Sequence, residues 1–298
     1  MSWVLLAITA TLFWASANII DKILRTKYLK SSTALTASFG IFGIFFSLIL
    51  FLAVGIPSIP LQHLIAAFVA GTLVPYLVIP YLKALSLEEA SRVVPLWHLS
   101  AIFILVLAVI FLNEILTALD YVAFGFILSG GILISTRRIG NVFHLSPAVA
   151  LMLLSSLLVA VGDILMKFAF STGIFWQTFL PFNIGISLGA LSLFILPNIK
   201  KNVSKAFTSH KQKFASILFL SVLLGFTGSV LWNNAILLGP VTLVGVFVSF
   251  QSLFVLIIAT LLSSKFPLLV NEALDIKTIG MKLTAIGLMA FGLYLLSL

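Results

Sequence analysis

Asp163 and Lys167 stand one helical turn apart inside the apolar run LMLLSSLLVAVGDILMKFAF, residues 151–170. An ionisable side chain in such a run must face a partner or a watery cavity, because a bare charge in hydrocarbon is costly. The four-residue spacing favours an intrahelical Asp163–Lys167 pair. Two readings are open: both line a substrate cavity, or Lys167 reaches to the interface and Asp163 balances it. In an earlier run, Thr11, Trp14, Asn18 and Asp21 recur at three- and four-residue steps and so share one helix face. His98 follows Pro95 and Trp97 in a third run, where an imidazole can carry a proton, make a polar contact or simply pack. Ser249 lies with Thr242, Gly245 and Ser252 on a stripe of small and polar residues, which serves close helix packing or a cavity wall. Trp14, Tyr76, Tyr81, Trp97 and Trp232 come from four different runs and offer aromatic walls for apolar or cationic groups. The candidate substrate-binding set is Trp14, Asn18, Tyr81, Trp97, His98, Asp163, Lys167, Trp232 and Ser249.

Catalytic signatures are missing. The sequence holds no cysteine, no Gly-rich phosphate loop, no HExxH and no GxSxG, and His63, His98, His144 and His210 follow no metal-ligand spacing. Neither an enzyme nor a cofactor is expected.

The elements that must position these residues are membrane spans. Of 298 residues, 61% are hydrophobic and 8% charged, and the mean hydropathy is +1.25; soluble domains hold roughly 45–50% apolar and 25% charged residues. A span needs about 20 apolar residues to cross roughly 30 Å of hydrocarbon. The sequence predicts an all-α integral membrane protein of ten helices, at about 4–22, 33–54, 62–82, 90–112, 119–136, 147–170, 179–198, 214–237, 242–263 and 279–297. Pro75 and Pro80 are expected to bend the third.

The chain repeats itself. Residues 81–114 align with 232–265 at an offset of 151, pairing Tyr81 with Trp232 and His98 with Ser249. Trp14–Lys22 aligns with Val159–Lys167 at an offset of 145, pairing Asn18 with Asp163 and Lys22 with Lys167. Gly125 and Gly130 correspond to Gly287 and Gly292 at an offset of 162. Two units follow, residues 1–140 and 141–298, each of five spans. Five is odd, so the second unit enters the membrane inverted, an architecture typical of transporters with a site between the halves. The +9 net charge sits in loops, which points to topology and not to nucleic acid. Loops 21–33, 83–92, 137–146, 199–213 and 264–282 hold every Lys and Arg except Lys167, which places them in the cytoplasm and both termini outside.

Tyr81…Lys83-Ala84-Leu85, Arg92-Val93-Val94-Pro95-Leu96, Phe111-Leu112-Asn113-Glu114 and Gly125…Gly130, set in two five-span halves, resemble EamA-type members of the drug/metabolite transporter superfamily. The resemblance covers essentially the whole chain. In the second half, Lys265 stands in place of Glu114 and Val246 in place of Pro95, with Asn271-Glu272 as a displaced counterpart of the former. The resemblance implies ten helices around a cavity bounded mainly by spans 1, 3, 4, 6, 8 and 9. It implies small-metabolite substrates such as amino acids, sugars and nucleotide sugars. Cytoplasmic termini, frequent in the family, conflict with the charge bias here.

The reading that follows is a secondary transporter in the cell (inner or plasma) membrane, moving a small polar or amphipathic, amino-acid-like metabolite outward by alternating access. Its expected partners are the substrate, the lipid bilayer, a coupling proton at Asp163 and, through the fifth and tenth spans, a second copy as a homodimer. The competing readings are an intramembrane lipid-modifying enzyme and a passive channel or scaffold.

Overall fold

The chain is seen in a computed structural model that describes residues 2–112, 117–139, 142–209, 211–239, 244, 247–265, 276–295 and 298. The expected Asn113-Glu114 and Asn271-Glu272 motifs, Thr242, Gly245, Val246 and His210 lie outside the described residues, as do the side chains of His144 and Ser249.

Helices occupy all ten expected positions. They are α1 (Ser2–Ile23, extended by a π-helical turn, Leu24–Tyr28), α2 (Ser32–Val54), α3 (Leu61–Leu87), α4 (Ala90–Val93), α5 (Leu99–Leu112) and α6 (Ala118–Ser135). The second half follows with α7 (Ala148–Ala169), α8 (Phe175–Ser192), α9 (Pro197–Ser209), α10 (Lys211–Leu238), α11 (Val248–Lys265) and α12 (Ile276–Leu295). Six of the helical stretches among the described residues are long and apolar enough to cross a membrane: α1 with its extension, α2, α3, α7 with the turn after it, α8 and α10. The chain is thus a multi-pass, essentially all-helical membrane protein.

Two local features differ from the expectation. Residues 136–145, read as a loop, carry a short antiparallel ribbon, β1 (Thr136–Ile139) paired with β2 (Val142–Leu145), in which Arg137 faces His144 in register. Residues 199–213, also read as a loop, lie mostly in α9. There Ile199, Val203 and Ala206 recur at helical spacing and are buried, while Lys200, Lys201 and Lys205 are exposed. Helix α3 runs without a break through Pro75 and Pro80. Near the second proline, the Ser155 hydroxyl of α7 donates to the carbonyl of Leu77 at 2.8 Å, a cross-helix bond of the kind proline-bearing spans draw on.

Most helix contacts join the two halves. Helix α1 lies against α10 and α11, α3 against α7 and α8, α2 against α8, α5 against α7 and α6 against α12. Exchanging the halves carries α1–α10 onto α7–α3 and α1–α11 onto α7–α5, and returns α2–α8 and α6–α12 to themselves. Small residues make this interlock possible, since apolar surface gives no drive for association among lipid tails and close approach must supply it. A Cβ on Gly71 of α3 would lie 1.9 Å from the Phe182 carbonyl oxygen, and one on Gly185 of α8 would lie 2.3 Å from that of Phe68. Gly130 and Gly292 do the same for α6 and α12: an added Cβ would stand 2.7 Å from the Ala285 carbonyl oxygen and 2.6 Å from that of Ala123. Gly130 and Gly292 are therefore used within the chain, while a Cβ on Gly125 or Gly287 would meet nothing within 4 Å.

Two apolar clusters result. Around Leu24, Leu82, Leu85 and Phe214 gathers one, to which α1 gives its C-terminal end; Met166, Phe170, Phe179 and Ile236 anchor the other, with Ala7 and Ala10 from the start of α1.

Candidate functional site

A cavity of about 350 Å³ opens among α1, α2, α3, the α4–α5 span, α7, α8, α10 and α11. The spans expected to bound it all do so, joined by α2 and α8.

On α1, Trp14, Asn18 and Asp21 turn the expected shared face toward the cavity. Each is fixed by a distant partner. The Trp14 indole N–H donates to the Gly225 carbonyl at 3.3 Å, and its ring meets Trp232 of α10 at 5.1 Å between centroids. Asn18 is buried and its Oδ1 accepts from the Tyr81 hydroxyl at 2.7 Å, while its Nδ2 has no hydrogen-bond partner. Asp21 is buried and its Oδ1 accepts from the Ser221 hydroxyl at 2.5 Å. Tyr81 in turn meets Trp97 at 5.3 Å. Each such ring pair contributes about 0.5–1.5 kcal/mol beyond its buried area.

The fourth span enters through α4 and a 3₁₀ turn, Val94–His98, before α5 begins. Pro95 lacks the N–H that an α-helical turn would use here, and a short 3₁₀ stretch inside a span commonly marks a functional hinge. That turn brings Trp97 and His98 to the cavity. His98 is 2% exposed; its Nε2 lies 3.0 Å from the Ser252 hydroxyl of α11, and its Nδ1 has no partner.

On α7, Asp163 lines the cavity, but the expected pair with Lys167 is not formed. The Lys167 ammonium is outside the lining and faces the Ile236 carbonyl at 3.4 Å. The reason is competition: the Ile236 carbonyl, in the last turn of α10, stands beside Lys167 and offers a hydrogen bond at the negative end of a helix. Trp232 is in the wall as expected, whereas Tyr76 is 44% exposed and turned toward Ser192.

Several lining residues were not singled out in the sequence. Asn183 and Ser187 of α8 reach the cavity from a buried network in which the Ser47 hydroxyl of α2 donates to Asn183 Oδ1 at 2.8 Å and lies 2.9 Å from that of Ser187. Ser100 of α5, Ser221 and Ser229 of α10 and Gln251 of α11 add to the polar part, beside Asn233 of α10, which the sequence offers as a donor and acceptor or a helix cap at the end of its span. A signal existed on α10, where Ser221, Gly225, Ser229 and Asn233 recur every fourth residue; for Asn183, only its polarity within a span marked it.

Residues 1–136 match the model of the EamA-like transporter family, which belongs to the drug/metabolite transporter superfamily. Over nearly its whole length the chain is similar in fold to a solved crystal structure described only as that of a protein. The two are 17% identical with a TM-score of 0.54, and the match covers 98% of this chain and 94% of the other. No curated protein matches the chain.

Proposed function

We propose, from the EamA-like transporter character of residues 1–136, that the chain is a secondary transporter that moves a small amphipathic metabolite outward across the cell membrane by alternating access. The carrying observation is the cavity itself: both halves build it, four spans each, around polar groups that hydrocarbon would exclude. The two-fold exchange in the helix contacts supports two units, 1–140 and 141–298, related as inverted five-span repeats. Trp14, Asn18, Tyr81, Trp97, His98, Asp163 and Trp232 form the substrate surface. Lys167 is assigned to the span seam beside it. Asp163 is the proton-coupling group, because it is the acid of the cavity with no side-chain hydrogen bond among the described residues.

Proteoliposome exchange tests the reading. Protein preloaded with an amino-acid or amine pool should drive saturable uptake of the labelled compound, and an imposed proton gradient should raise it. Non-saturable flux points to a channel. Flux in Asp163→Asn that matches the parent at every pH removes the coupling role from Asp163.

A further inference from the structure

We infer that the cavity selects a monovalent organic cation, an amine carried on a ring-sized apolar body. This rests on reading the cavity as the substrate site and names what enters it. The charge census of the wall is one-sided: Asp21 and Asp163 line it, and no Lys or Arg does among the described residues. The basic side chains beside the two acids in sequence are committed elsewhere. Lys22, beside Asp21 in sequence, donates to the carbonyls of Leu85 and Glu88, and Lys167, one turn from Asp163, faces that of Ile236. A carboxylate held in a low-dielectric cavity needs a counter-charge or a proton, and a cationic ligand supplies the first.

The remaining wall fits the same ligand. Trp14 against Trp232 and Tyr81 against Trp97 present two pairs of rings, and the negative faces of indole and phenol attract a cation while burying an apolar body. Two buried polar atoms, Asn18 Nδ2 and His98 Nδ1, have no partner although both residues line the cavity. An anionic substrate, in contrast, would find two carboxylates and no fixed positive charge.

Three compounds of one skeleton separate charge from shape: tryptamine, the neutral tryptophol and the anionic indole-3-propionate. Binding is measured by titration calorimetry on the full chain in lipid nanodiscs, with empty nanodiscs subtracted. Tryptamine should bind at least about tenfold more tightly than tryptophol, and the acid most weakly of the three. Asp163→Asn should remove about tenfold or more of the tryptamine affinity and leave that of tryptophol within about threefold, with Asp21→Asn acting in the same direction. Equal affinities, a preference for the acid, no binding of any compound, or tryptamine affinity untouched by both substitutions overturns the cation site. The parent chain alone decides the charge series if a variant does not fold. Exchange of the acid in proteoliposomes would refute the cation site and spare the transporter reading; tight tryptamine binding without saturable exchange would do the reverse.

Discussion

Lys22 and Lys167 are matched by the repeat proposed for the sequence, one turn beyond Asn18 and Asp163, yet their surroundings are built differently. The offsets that relate the halves carry Lys22 onto Lys167 and Leu85 onto Ile236. The contact between them is also made twice, ammonium to helix-end carbonyl. At the first end it is reinforced. Lys22 also reaches the Glu88 carbonyl, Glu88 Oε1 accepts from the Ser146 hydroxyl at 2.6 Å, and Glu89 pairs with Lys282 of α12 and with Arg92. The second end has only the 3.4 Å contact of Lys167 among the hydrogen bonds described for that ammonium, and the residues equivalent to Glu88 and Glu89 are Gly239 and Pro240, which carry no acidic group. The seams show the same inequality. Helices α3 and α8 touch backbone to backbone at Gly71 and Gly185, while α10 meets α2 through rings, Phe46 lying 4.6 Å from Phe226 and 6.0 Å from Phe219. Val222 stands where the repeat places the counterpart of Gly71. The polar ties described thus gather around Lys22, and the tight backbone seam lies between α3 and α8.

The sharpest way to break this comparison is at the tight seam. Gly71→Val drives atoms into the Phe182 carbonyl, so α3 and α8 must separate, at a cost of more than about 3 kcal/mol. The thermal midpoint in detergent should fall steeply. Gly125→Val, where an added Cβ meets nothing within 4 Å, should leave it nearly unchanged. Equal effects at the two positions would mean that the seam is looser than described.

Next in size is the ion pair. Lys282 is buried, 1% exposed, and Glu89→Gln takes away a carboxylate that compensates its charge. The expected loss is roughly 2–3 kcal/mol, less than for a wholly buried pair because Glu89 is 24% exposed. Adding Lys282→Met should restore much of it, since a neutral side chain needs no counter-charge there. A double variant no more stable than Glu89→Gln alone would place the role of Lys282 in some other contact.

How much of this could be read from the sequence depended on range. Long apolar runs placed the six helices that are long and apolar enough to cross a membrane, because length and apolarity decide them locally. Internal repetition likewise brought Trp14, Asn18, Tyr81, Asp163 and Trp232 into one candidate site. What failed was every judgement that hung on a tertiary competitor. The four-residue spacing allows Asp163 to pair with Lys167, but the Ile236 carbonyl, 69 positions away, takes the ammonium. Asp21 was legible as a polar residue on the right face, yet its Ser221 partner comes from 200 positions along the chain. Ser47, Asn183 and Ser187 form a network across two helices that no periodicity in either announces. Helix α9 was hidden because its alternation of lysines and apolar residues reads as a polar loop until Ile199 and Val203 find cover.

The two lysines give the subtlest test. Replacing Lys22 by Met deletes charged hydrogen bonds to two carbonyls and should cost about 1.5–3 kcal/mol, whereas Lys167→Met removes one long contact and should cost less than about 1 kcal/mol. Stability alone would not show that the difference concerns access to the cavity. The chain contains no cysteine, so a single Ala17→Cys, placed in the cavity wall on α1, reports access through its rate of labelling by a membrane-impermeant maleimide. In that background Lys22→Met should speed labelling severalfold from the charge-rich side, because the closure there loses its anchor while the Glu89–Lys282 pair remains. Lys167→Met should change labelling from either side little, since its end is already lightly held. If both substitutions act alike, the two ends are energetically equivalent in the membrane, and the asymmetry between them belongs to the side chains of one closed state and not to the resting balance of the protein.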